Sequence, residues 1–133
     1  MSNKIQKSEA EWKAELSEEV FRILRKKGTE RAYTGKYDKH YKAGSYHCAG
    51  CGEHLFDSDS KFDSHCGWPA FDAAAAKDKI SEERDISLGM LRTEVLCSKC
   101  DGHLGHVFND GPTKTGLRYC INSASLTFKP KSN

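Results

Sequence analysis

Two Cys-x-x-Cys pairs, Cys48-Ala49-Gly50-Cys51 and Cys97-Ser98-Lys99-Cys100, constrain this chain more than any other feature. Two cysteines three apart, with glycines in and behind the turn, can direct both sulfurs at one ion, and Gly50, Gly52 and Gly102 stand at those places. A single pair is also compatible with a thioredoxin-like redox dithiol. Two pairs read as a tetrahedral four-thiolate site for one structural zinc ion, with Cys48, Cys51, Cys97 and Cys100 as ligands and no coordination position left for substrate. The 45 residues between Cys51 and Cys97 exceed a compact zinc ribbon, so the metal must join two distant loops. His47 and His54 flank the first pair, but four thiolates already fill the shell.

Four of six cysteines are thereby assigned, leaving Cys66 and Cys120. Met1-Ser2-Asn3-Lys4-Ile5-Gln6 lacks the apolar core of a secretory signal, which makes the cytoplasm the expected compartment and argues against permanent disulfides. No apolar run approaches the ~18 residues of a membrane span. A net charge of only +2 gives little support to nucleic-acid binding. The 133 residues fit one domain, 1–133, with a helical segment over 1–28 packed on it.

Ser8-Glu9-Ala10-Glu11 has the capping-box pattern and predicts a short helix through Trp12. Val20, Phe21, Ile23 and Leu24 follow at helical spacing, predicting a second, amphipathic helix over 17–27 with Gly28 as its cap. Residues 28–44 read as an extended segment wrapping the domain, with no catalytic residue identifiable in it. Leu55-Phe56 and Phe62 suggest short strands around the turn at 57–60, and the charged stretch Lys77 to Asp85 reads as a solvated loop. Ile86, Leu88, Met90 and Leu91 through Leu96 resemble strands, as does Leu117 to Phe128. Short strands, frequent glycine turns and no βα alternation make the fold mainly β and antiparallel.

Two stretches carry chemistry-bearing residues. Trp68 in Cys66-Gly67-Trp68-Pro69 is either core or the wall of an apolar pocket. His103 and His106 would face opposite sides of a regular strand, but a bulge at Gly105 would bring both to one site. They are then either satisfied histidines or proton donors beside a thiolate. Cys120, next to Arg118 and followed by Asn122, is either a small buried hydrophobe or a nucleophile whose thiolate a cation favours.

Taken together, Gly35-Lys36-Tyr37, the two cysteine pairs, Cys66-Gly67-Trp68-Pro69, His103-Leu104-Gly105-His106-Val107-Phe108, Asp110-Gly111-Pro112 and Arg118-Tyr119-Cys120-Ile121-Asn122-Ser123 resemble the methionine sulfoxide reductase B family over nearly the whole chain. The resemblance implies two antiparallel β-sheets in a β-tent arrangement with short N-terminal helices. It implies reduction of methionine-R-sulfoxide, free or in oxidised proteins, with thioredoxin as electron donor. By motif, Cys120 is the nucleophile and Cys66 the thiol that resolves its sulfenic acid as a disulfide. His103, His106 and Asn122 deliver the proton to oxygen, and Trp68 receives the S-methyl group. Arg118 pairs with Asp110 beside the thiolate, and Phe108 completes the pocket or belongs to the core. Two rivals differ in class: a non-enzymatic zinc module, which leaves Cys66, Cys120 and both histidines without a task, and a thiol peroxidase using the same cysteines.

Overall fold

The computed structural model describes residues 5, 7–86, 89 and 91–131. Helix α1 (Glu9–Glu15) starts at Ser8, where the capping box with Glu11 is complete in both directions. Helix α2 (Glu18–Lys26) is capped by the Ser17 hydroxyl. Its C-cap differs from expectation: Lys27, not Gly28, takes the left-handed conformation at φ 59°. Lys27 is held there by ion pairs to Glu94 at 3.0 Å and Asp85 at 3.4 Å. Trp12, Ile23 and Leu24 are all buried, each such side chain contributing roughly 1.5–3 kcal/mol.

Nine strands follow among the described residues: β1 (Gly44–Cys48), β2 (His54–Asp57), β3 (Lys61–Phe62), β4 (Ala70–Phe71), β5 (Ile80–Asp85), β6 (Arg92–Cys97), β7 (His103–Phe108), β8 (Arg118–Ile121) and β9 (Leu126–Pro130). They form a three-stranded sheet ordered β2-β1-β9 and a six-stranded sheet ordered β3-β4-β8-β7-β6-β5, with antiparallel pairings. The expected mainly β, two-sheet architecture is the one observed. Tyr46, Phe56, Phe71, Val95, Leu104 and Ile121 lie in the core the sheets share.

Three local expectations change. The stretch Lys77 to Asp85 is not a loop: after one 3₁₀ turn it becomes β5, paired along its length with β6. Its exposed Glu82, Glu83 and Arg84 mask the strand, and charge is what a sheet edge uses to resist pairing with other chains. The strand expected from Ile86 starts only at Arg92; Ile86 and Leu91 are exposed, and Leu88 and Met90 lie outside the described residues. The segment Leu117 to Phe128 is two strands in different sheets, separated by a 3₁₀ turn at Ser123–Ser125. Two hydroxyls stabilise that crossing, Ser125 Oγ donating to the His103 carbonyl at 3.0 Å and Ser123 Oγ accepting from Tyr37 N–H at 3.1 Å.

Candidate active site

Strand β8 lies between β4 and β7, which places Cys120 directly across from Ala70 on one side and His106 on the other. Arg118 faces Phe108 in the same register. Because side chains alternate along a strand, Arg118, Cys120, His106 and Phe108 share one sheet face. With Trp68, Arg92 and Asn122 they line a cavity of about 280 Å³. A larger groove of about 550 Å³ runs alongside, past Glu82, Arg84 and Leu91, but no cysteine or histidine is among its lining residues.

Gly105 lets these strands approach. A Cβ there would come within 2.0 Å of the Cys120 carbonyl oxygen. The register of β7 against β6 slips at this point, pairing Leu96 with His103 but Val95 with Gly105. Leu104 is the extra residue of the resulting bulge, and the bulge turns both histidines toward one region, their ring centroids 5.5 Å apart.

The guanidinium of Arg118 ties the face together. Its Nη1 donates to Cys120 Sγ at 2.8 Å, while Nε and Nη2 grip the Asp110 carboxylate at 2.8 and 3.0 Å. It also stacks over Phe108, 4.5 Å from the ring centroid. The fork holds Asp110 below the usual carboxylate range and raises Arg118 in turn. Cys66 Sγ sits 3.1 Å from Cys120 Sγ. The proximity of the two sulfurs draws the Cys66 thiol down to about 5 and pushes Cys120 up, burial adding to the rise and Arg118 opposing it. The contact between the sulfurs favours negative charge on Cys66, while Arg118 favours it on Cys120.

Behind the histidines lies a set of charges that sequence reasoning missed. His103 Nδ1 bonds Glu94 at 2.7 Å and His106 Nε2 bonds Asp85 at 2.7 Å. Lys27 bridges the two carboxylates, and Arg92 lies 3.6 Å from Asp85. With Nε2 engaged, Nδ1 is the ring nitrogen His106 has left for a ligand. His103 is deeper, only 3% exposed, and does not line the cavity. Burial depresses its pKa against the pull of Glu94, which favours a neutral ring donating to that carboxylate. The charged run ending at Asp85 gave no sign that its last residue is buried, because the strand shows no alternation of apolar and polar residues that would mark an inner face.

Asn122 is a clasp as well as a lining residue. Its Oδ1 accepts from Glu30 N–H at 3.0 Å and its Nδ2 donates to the Leu104 carbonyl at 3.1 Å, leaving one amide hydrogen for the cavity. The Trp68 indole N–H donates to the Glu30 carbonyl at 3.0 Å, and the Glu30 carboxylate accepts from Ala124 N–H at 3.0 Å. One residue of the wrapping segment thus braces Trp68, Asn122 and the 3₁₀ turn together.

Away from the cavity, Cys48 closes β1 and Cys97 closes β6, so the two cysteine pairs hang from different sheets. Cys48 and Cys100 sulfurs are 3.7 Å apart, Cys51 and Cys97 sulfurs 3.6 Å, and all four lie within 4.8 Å of one another. A tetrahedral ion with bonds of ~2.3 Å to sulfur needs edges of roughly 3.8 Å. The cluster could hold a metal ion, and Trp12 and Leu24 of the helices cover its glycine turns.

A cysteine at a cavity fit for a small group, with a guanidinium on its sulfur and a second thiol 3.1 Å away, is the equipment of a cysteine-based oxidoreductase. The SelR domain family model matches residues 16–130. The chain is 59% identical over 129 residues to the peptide methionine sulfoxide reductase MsrB of Bradyrhizobium diazoefficiens, covering 97% of this chain and 93% of that one. It is 58% identical over 131 residues to the same-named protein of Thiobacillus denitrificans (98% and 99% covered) and 56% identical over 129 residues to that of Leptospira interrogans (97% and 98%). A solved Mis18 Yippee-like domain shares the fold at TM-score 0.55 and 19% identity, covering 69% of this chain and all of that one. This chain belongs to the SelR, or methionine sulfoxide reductase B, family of oxidoreductases.

Proposed function

We propose that the chain reduces methionine-R-sulfoxide, free or in oxidised proteins, to methionine through Cys120, and that thioredoxin returns it to the dithiol form. The observation that carries this reading is the Cys120 sulfur, in contact with Arg118 on one side and Cys66 on the other. As a thiolate, Cys120 attacks the sulfoxide sulfur. Sulfoxide oxygen departs only if it is protonated or strongly hydrogen-bonded, and His106 Nδ1 and the free Asn122 amide hydrogen are the donors nearest that task. His103 acts one layer behind, holding the neutral, carboxylate-tethered ring against His106. Trp68 offers an apolar indole face to the S-methyl group, and Phe108 extends that wall beneath Arg118. Asp110 keeps the guanidinium aimed at sulfur.

Attack forms a bond from Cys120 to the sulfoxide sulfur; as the protonated oxygen moves to Cys120, that bond and the sulfoxide sulfur–oxygen bond break, methionine leaves with both electrons, and Cys120 remains as a sulfenic acid. The Cys66 thiol then attacks the Cys120 sulfur, the disulfide forms and water departs. A dithiol of the thioredoxin class reduces the disulfide by exchange. The four-thiolate cluster fits one structural zinc ion, whose contribution when bound is to lock Cys48, Cys51, Cys97 and Cys100 out of that exchange. Repair of oxidised proteins in the reducing cytoplasm suits this chemistry, with neither nucleic acid nor membrane as partner; among the described residues no helix is long and apolar enough to cross a membrane.

Turnover of each methionine sulfoxide epimer, with dithiothreitol or thioredoxin as reductant, tests the reading. Methionine is expected from the R epimer alone and with either reductant. Equal rates on both epimers, or turnover of peroxides only, would contradict it.

A further inference from the structure

Two non-glycine residues with left-handed backbone, Tyr33 at φ 67° and His65 at φ 59°, touch each other although 32 positions apart. A tyrosine in that conformation is strained, and strain persists only where the surroundings enforce it. Burial does not enforce it here, since Tyr33 is 63% exposed. Hydrogen bonds do: the Tyr33 hydroxyl donates to the His65 carbonyl at 2.8 Å, and the Tyr33 N–H donates to the Gly67 carbonyl at 2.7 Å. Both acceptors flank Cys66. Gly67, itself at φ 91°, lies so close that a Cβ on it would come within 3.1 Å of the Tyr33 ring and 2.8 Å of Ala32. On the far side, His65 N–H is held by Asp63 at 2.9 Å. The loop bearing Cys66 is thus clipped at the residue before and the residue after its sulfur.

We infer that Tyr33 is a positioning residue for the resolving step, holding Cys66 within reach of the Cys120 sulfenic acid; this rests on the function proposed above. In that step a Cys66–Cys120 sulfur–sulfur bond forms, the sulfur–oxygen bond breaks, and the hydroxyl leaves as water with the thiol's proton. The first half-reaction needs only Cys120 and its cavity, which Tyr33 does not line. Loosening the clip widens the range of Cys66 positions and lowers the fraction poised for attack.

Rapid-quench single turnovers with methionine-R-sulfoxide, counting methionine and disulfide separately, distinguish the two steps. In Tyr33→Phe, which loses only the hydroxyl, disulfide formation is expected to slow about fivefold, and in Tyr33→Ala, which also loses the ring against Gly67, about tenfold or more, with methionine release unchanged in both. Unchanged disulfide rates, or equal slowing of both steps, would overturn the inference. Wild-type enzyme that releases no methionine would instead remove the functional reading, and the clip's assigned task with it.

Discussion

Cys120→Ser is expected to lose sulfoxide reduction by roughly four orders of magnitude or more, the scale seen when a covalent nucleophile is removed. A serine hydroxyl does not ionise near neutral pH, and the 2.8 Å contact with Arg118 cannot make it do so. The substitution is nearly isosteric in a half-buried position and leaves the four clustered cysteines in place, so the fold should remain. Loss of activity with unchanged circular dichroism and thermal midpoint is therefore the anticipated pattern, measured with the R epimer and dithiothreitol. Substantial turnover by this variant would show that another group attacks the sulfoxide.

Removing the metal is expected to have the largest effect on stability. Binding at a four-thiolate zinc site contributes ~10–16 kcal/mol near neutral pH, as much as the ~5–15 kcal/mol that separates a typical domain from its unfolded state. The position of the cluster sharpens this expectation: Cys48 ends a strand of one sheet and Cys97 a strand of the other, so the ion would bind the sheets at their shared end. Without it, the four sulfurs, all within 4.8 Å of one another, repel as they ionise. Chelation, or Cys97→Ser, should abolish the cooperative thermal transition, and stoichiometric zinc should restore it to the chelated wild type. A metal-free chain that melts at the holoprotein's temperature would contradict a structural role.

Much of this was legible in the sequence because the chemistry is local there. Each cysteine pair states its own geometry, and Arg118, Cys120 and Asn122 lie on one short segment. The histidines were half legible: their spacing is wrong for a regular strand, and the bulge at Leu104 that corrects it depends on the facing strand. Least visible were the long-range partners. Glu30, Asp85, Glu94 and Lys27 are ordinary charges in sequence, distinguished only by burial or by the ion pairs that folding assembles. Asp85 was the hardest to see, because the charged edge strand it ends looks like solvent-exposed loop. The left-handed Tyr33 leaves no trace in residue type at all, since nothing but the backbone torsion sets it apart.

The most direct measurement uses Cys66→Ser with one equivalent of methionine-R-sulfoxide and a sulfenic-acid-trapping reagent, read by mass spectrometry. One methionine per chain, with the trapping adduct on Cys120, is the expected result. Methionine formed while Cys120 remains unoxidised, or an adduct on any other cysteine, would contradict Cys120 as the residue that takes the oxygen.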